Sequence, residues 1–252
     1  MERFYYDLHV HSCLSPCADN DNTPFNIAGM ASLCELDIVA LTDHNTCKNC
    51  PAFFAAADKY GIIPVAGMEL TTSEDIHIVC LFDELDSAMK FDEKINSRRI
   101  LIKNKPHIFG DQLIIGNNDD QIGTDEFLLS NATTVSIEDI ITLVNKYGGV
   151  CYPAHIDRMS NGIIAILGTI PESLPFKCVE FHSAENIEEY KKKYNLFDKR
   201  VTISSDAHCL TDLNDRCNSI MLNTVRDEPS AVRRALLDYL RGKNEGVIAE
   251  RS

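Results

Sequence analysis

Apolar stretches recur along this chain at nearly even intervals, and that rhythm constrains the fold more than any other feature. Segments starting near residues 5, 36 and 62 read as strands, about 31 and 26 residues apart, close to the ~30 residues of a strand–helix–strand unit. Between them, Thr23-Pro24 is a helix start that puts Ile27, Met30, Ala31 and Cys34 on one face. Residues 51–60 read as a second helix, which Gly61 stops. Residues 36–43 are apolar almost throughout, as expected of a parallel strand buried on both faces. With 252 residues and a composition 44% hydrophobic and 25% charged, the chain can bury a large core.

The rhythm continues with a strand over 76–82 and a helix over 84–96, then breaks over 98–134. There, residues 112–115, an Asn/Asp-rich turn at 116–120 and residues 121–122 suggest a hairpin, read as an insertion within a single domain spanning 1–252. The pattern returns with a helix over 137–146, strands over 150–154, 178–181 and 201–205, and a last helix over 229–240. Strands alternating with helices predict a parallel sheet, and seven or eight such units point to a closed α/β barrel.

Six of the eight histidines fall in or at the ends of the expected strands: His9, His11, His44, His77, His155 and His208. In an α/β barrel the strand C-terminal ends build the active site. Asp7, His9 and His11 alternate and so share one face, and Asp206-Ala207-His208 repeats the device late in the chain. His44 follows Thr42-Asp43, and Glu69 ends the third strand. Burying so many titratable groups without cations is costly. Imidazoles and carboxylates suit Zn, Mn or Fe, and ligand type does not choose among these.

The ordered set Asp7-Leu8-His9-Val10-His11-Ser12, Leu41-Thr42-Asp43-His44, Gly67-Met68-Glu69, His77, Pro153-Ala154-His155 and Ser204-Ser205-Asp206-Ala207-His208 resembles the PHP (polymerase and histidinol phosphatase) family of metal-dependent phosphoesterases, over about residues 5–225. The resemblance implies a distorted (β/α)7, TIM-like barrel with two or three divalent ions at the C-terminal strand ends. It implies that His9, His11 and Asp206 hold the first ion and Glu69 bridges the first and second. His77 and His155 would complete the second, and His44 and His208 would hold a third with a residue of the loop after strand one. Some relatives use His there, which this loop lacks. Asp19, five residues before Pro24, matches the spacing of members that use Asp, and Asp21 competes. The implied chemistry is hydroxide held between the ions attacking phosphorus in line.

Two further residues stand near these positions. Arg158, three residues past His155, can clamp a phosphate with its guanidinium fork. His182 alternates with Glu180 at another strand end and is a candidate for protonating the leaving group or touching the substrate. His107 lies in the insertion and reads as structural or exposed.

Cys13, Cys17, Cys47 and Cys50 all fall in loops after strands one and two, as CxxxC and CxxC, which leaves a thiolate metal site or a redox pair open. Cys80, Cys151, Cys178 and Cys217 read as core.

The expected activity is hydrolysis of a small phosphomonoester, a nucleotide or similar compound. Cleavage of short oligonucleotides from the 3′ end and a non-catalytic metal-binding module are the alternatives. An amidohydrolase is disfavoured because Glu69, where a modified Lys often serves, holds the bridging position. The formal net charge of −14 argues against stable binding of duplex nucleic acid, which needs an excess of Lys and Arg. No apolar stretch approaches the ~20 residues of a membrane helix, and Asp7 interrupts the N-terminus before any apolar run, so a cytoplasmic location is expected. Substrate identity and oligomeric state stay open.

Overall fold

The computed structural model describes residues 1–243 and 248–249. In chain order the elements are β1 (Glu2–Val10), α1 (Pro24–Leu33), β2 (Ile38–Leu41), α2 (Cys50–Tyr60), β3 (Ile63–Thr71), β4 (His77–Phe82) and α3 (Leu85–Asn96). Next come α4 (Pro106–Phe109), β5 (Leu113–Ile115), β6 (Gln121–Thr124), α5 (Ile137–Lys146), β7 (Val150–Pro153) and α6 (Ile163–Leu167). The chain finishes with β8 (Cys178–Phe181), α7 (Ile187–Tyr194), β9 (Arg200–Ile203), β10 (Ser219–Leu222), α8 (Pro229–Leu240) and β11 (Ile248–Ala249).

Local chemistry starts and stops the early helices as the sequence suggests. The Thr23 side chain accepts from the Asn26 N–H at the head of α1, and Gly61, at φ 71°, ends α2 in the left-handed region that glycine adopts without strain.

The main sheet has seven strands in the order β11-β10-β1-β2-β3-β4-β7, and β8 and β9 form a separate parallel pair. The sheet is mixed, which departs from the all-parallel expectation. β1, β2 and β3 run parallel, whereas β3–β4, β4–β7 and β1–β10 are antiparallel. The reason is connection length. Only residues 72–76 separate β3 from β4, and a parallel crossover needs a dozen or more residues. The fold is thus α/β with a curled sheet, met at one side by the β8–β9 pair through a bridge between Val10 and Ala207.

Both faces of the sheet are covered. Along β2, Ile38 and Ala40 join one apolar cluster and Val39 and Leu41 the other, which accounts for its unbroken apolar run. Helix α8 brings Val232, Leu236, Leu237 and Leu240 to the first of these faces. On β3, Ile63, Val65, Gly67 and Glu69 share a side, so the apolar core grades into the carboxylate along one face. Gly67 is required there: an added Cβ would stand 2.5 Å from the Cys80 carbonyl oxygen of β4.

The 98–134 segment carries the expected hairpin, with β5 and β6 paired antiparallel. Its anchors are polar. Asp125 takes a two-pronged contact from Arg99, 2.9 Å on each oxygen, and a 2.6 Å contact from Lys48. The Asn49 amide donates to the Leu113 carbonyl and to Ser12 Oγ, which ties the hairpin to the loop after β1.

Candidate metal centre

The sheet brings its histidines and carboxylates to one end. His9 is the penultimate residue of β1 and His11 follows the strand, His44 follows β2, Glu69 lies near the end of β3, and His155 follows β7. Because β4 runs antiparallel to β3, its first residue, His77, arrives at the same end. Asp206 and His208 follow β9.

Glu69 is the hub. Its Oε1 lies 2.7 Å from His77 Nδ1, 3.1 Å from His155 Nε2 and 3.4 Å from His9 Nε2. Its Oε2 lies 2.9 Å from His44 Nδ1 and 3.5 Å from His11 Nε2. Asp206 Oδ1 is a second focus, 3.1 Å from His11 Nε2 and 3.3 Å from His9 Nε2. Three sets of donor atoms stand close enough to share an ion: His9, His11, Glu69 and Asp206; His44, Glu69 and His77; and His11, His44 and His208.

A surrounding layer orients the rings. His9 Nδ1–H donates to Glu180 Oε1 at 2.8 Å, which leaves the Nε2 lone pair facing the cluster. His11 Nδ1 lies 2.9 Å from Ser15 Oγ, which itself donates to Asp43 Oδ1 at 2.7 Å. His208 Nδ1 bonds the Asp206 carbonyl at 2.8 Å. Asp7, buried on the same strand as His9, accepts from the backbone N–H of Ser205 and Asn214 and so holds the loop that carries Asp206. His155 and Asp206 have φ of 26° and 54°, left-handed values that cost a non-glycine residue about 1 kcal/mol or more and concentrate at functional sites.

The donor set fits divalent cations. Burial works against charge on His9, but Glu180, Asp206 and Glu69 outweigh it and hold the imidazole well above its ordinary pKa. Positive charge is therefore favoured at that point, and a metal ion could supply it in place of a proton. Burial and the neighbouring His208 and His44 keep His11 well below its usual range, hence neutral with a lone pair free. Burial pushes Glu69 up, yet the surrounding His77, His9 and His44 hold it well below the usual carboxylate range. His155 Nδ1 and Glu180 Oε2 are buried without a hydrogen-bond partner.

At the rim, one guanidinium nitrogen of Arg158 pairs with Asp206 Oδ2, and Nη2 donates to His182 Nδ1 at 3.1 Å. The same Nη2 lies 3.4 Å from His182 Nε2, and burial together with the Arg158 charge lowers the pKa of that ring. His107 lies apart, exposed on α4.

The loop after β1 brings a different residue to the cluster than the spacing suggested. Asp19 and Asp21 are exposed, and neither belongs to a set of close donors among the described residues. Cys17, exposed like them and outside those sets, comes nearer, with Sγ 3.2 Å from His44 Nε2. Burial pushes this thiol up, but His208 and His44 bring it down to about 6. The other loop cysteines have separate partners: Cys13 points to the Leu113 carbonyl, and Cys47 and Cys50 to that of Gly67. Sequence reasoning also left out Glu180 and Ser15 as ring-orienting partners. The alternation of Glu180 with His182 was the available signal for the first, and the turn chemistry around Ser15 gave none.

The model of the PHP domain family matches residues 7–192. A search of curated proteins finds no match. Among solved structures, endonuclease Q from Pyrococcus furiosus superposes with a TM-score of 0.69 at 15% identity, covering 98% of this chain and 58% of that one. A complex of endonuclease Q with a 27-mer duplex substrate, an abasic lesion at its active site, gives 0.69 at 14% identity, over 97% and 58% of the two chains. A candidate metal-dependent phosphoesterase from Bifidobacterium adolescentis gives 0.57 at 17% identity, over 81% and 87%. This chain thus spans little more than half the length of endonuclease Q.

These likenesses correct one expectation. Net charge does not exclude duplex nucleic acid from this fold, since endonuclease Q holds a duplex at its active site. The charge of −14 sums the whole surface, whereas a duplex meets only the groove that holds it. Among the described residues no helix is long and apolar enough to cross a membrane. Ordered motifs and the matched residues 7–192 agree: the chain belongs to the PHP domain family.

Proposed function

We propose that this protein hydrolyses the phosphomonoester of a small molecule, a nucleotide or a compound of similar size. Two or three divalent ions would be held by His9, His11, Glu69, His77, His155 and Asp206, with His44 and His208 at the third position. The observation that carries the reading is the graded burial of the cluster. Side chains at its floor, His9 and Glu69, are 0% and 1% exposed, whereas His77, His208 and Arg158 are 14%, 28% and 37% exposed. A terminal phosphoryl group can enter such a well with three oxygens directed inward, which an internal diester linkage can do only if its chain is bent or splayed.

The ions would offset phosphate charge and lower the pKa of a water. The chain's own residues do the rest. Glu69, kept ionised by its ring of imidazoles, would set the spacing of the cationic positions. Asp206 turns Oδ1 inward because Arg158 occupies Oδ2. That arrangement leaves the Arg158 fork beside the open side of the cluster, where it can meet a phosphate oxygen. His182, held beside Arg158 at the rim, is placed to contact the substrate near the ester oxygen; its lowered pKa makes it a poor source of a full proton.

A second reading is cleavage of phosphodiesters in nucleic acid. The observation favouring it is the likeness to endonuclease Q with its duplex. Values of kcat/KM for a nucleoside monophosphate, a dinucleotide and a DNA duplex with an abasic site, taken at one salt concentration, separate the two. The monophosphate should be the best substrate. A clear preference for the duplex would replace the phosphatase reading with the nuclease one.

A further inference from the structure

We infer that Cys17 is a metal ligand, its Sγ joining His44 Nε2 and His208 Nε2 in a site of mixed sulfur and nitrogen donors. The inference rests on the reading that the cluster holds divalent ions, and deepens it by naming a donor that spacing alone assigned to a carboxylate.

Geometry comes first. Cys17 Sγ lies 3.2 Å from His44 Nε2, and the His208 ring stands beside those of His11 and His44, at centroid distances of 4.2 Å and 6.1 Å. Tetrahedral zinc, with Zn–S near 2.3 Å and Zn–N near 2.0–2.1 Å, sets such donor atoms roughly 3.5 Å apart. The thiol therefore already stands close to ligand spacing. Each imidazole is turned the right way. His208 Nδ1–H is committed to the Asp206 carbonyl at 2.8 Å, and His44 Nδ1 faces Glu69 Oε2 at 2.9 Å. In His208 this leaves the Nε2 lone pair free, and in His44 Nε2 is the nitrogen on the Cys17 side. His11, with a donor atom within 4.8 Å of those of His44 and His208, completes a wall of imidazole on the inner side.

The loop is built to put Cys17 there. Its N-terminal side is a turn in which the Ser15 N–H bonds the Ser12 carbonyl and the Ala18 N–H the Ser15 carbonyl. On the other side, the Asp19 N–H donates to the His208 carbonyl at 2.9 Å. That bond fixes the chain two residues after Cys17 to the backbone of its proposed partner, and it uses Asp19 as a main-chain anchor with its carboxylate in solvent. A thiolate in place of a carboxylate changes selectivity: sulfur favours Zn, Co and Fe(II) over Mn and Mg.

Cobalt(II) is a direct probe, since thiolate ligation gives an intense charge-transfer band in the near ultraviolet that imidazole and carboxylate do not. The full chain is depleted of metal, reconstituted with cobalt, and compared with C17S and D19N. The wild-type protein and D19N should both show the band. C17S should lose it, together with about one equivalent of bound metal per chain. Zinc-edge X-ray absorption on the unmodified protein provides a readout that needs no variant, a sulfur neighbour at about 2.3 Å. Cobalt binding without the band, or a band that survives in C17S, overturns the Cys17 assignment and leaves the phosphoesterase reading standing. A wild-type protein that binds no divalent ion overturns both.

Discussion

Glu180 shows how much of this site depends on residues that would touch no ion. Its Oε1 holds His9 Nδ1 at 2.8 Å and also accepts the His155 N–H at 3.2 Å, so one carboxylate orients two proposed ligands. Glu180→Ala should weaken metal binding by about 10–100-fold, measured by competition with a chelator of known affinity. Unchanged affinity would mean that packing alone sets the His9 ring. Arg158→Ala removes one charged contact to phosphate, on the scale of ~1.5–3 kcal/mol, and should lower kcat/KM by about 10–100-fold. Metal content should hold. Loss of metal with activity would show that Arg158 works by supporting Asp206. The histidines were legible in the sequence because alternation along a strand dictates direction: His9 and His11 must share a face once β1 exists. The choice between Asp19 and Cys17 was not legible. It depends on two turns and one backbone bond to His208, and residue spacing carries none of these.

Among the elements, the 98–134 segment depends on a few polar clamps. Asp125 is buried between Arg99 and Lys48, and although burial pushes its carboxyl up, these two cations bring it down to about 2. A carboxyl lowered in the folded state adds stability that is complete above its ordinary value near 4 and is lost as pH falls toward 2. Asp125→Asn leaves Arg99 buried without a counter-charge, and should cost ~3 kcal/mol at pH 7. Urea unfolding should find that difference at neutral pH and find it largely gone near pH 2. A constant difference would remove the ion pair as its cause. Sequence periodicity identified nearly every large element, because the helix and strand periods differ. It misread how they connect: the short β3–β4 link makes that pair antiparallel, and this reversal is what delivers His77 to the same end as Glu69.

For the whole molecule, the sum of charge was a poor guide to partners. A net −14 describes the average surface, whereas the site itself is a cation-favouring well with one guanidinium at its edge. The fold shared with endonuclease Q leaves nucleic acid among the substrates to be assayed. On the proposed function, the His/Glu/Asp cluster works only through bound cations. Metal content and phosphate release should therefore be measured on one sample, before chelation, after it, and again on restoring Zn, Mn or Fe. About two or three equivalents per chain should be present at the start, with hydrolysis falling in step with their removal and returning with them. Full hydrolytic activity in protein stripped of metal would contradict it.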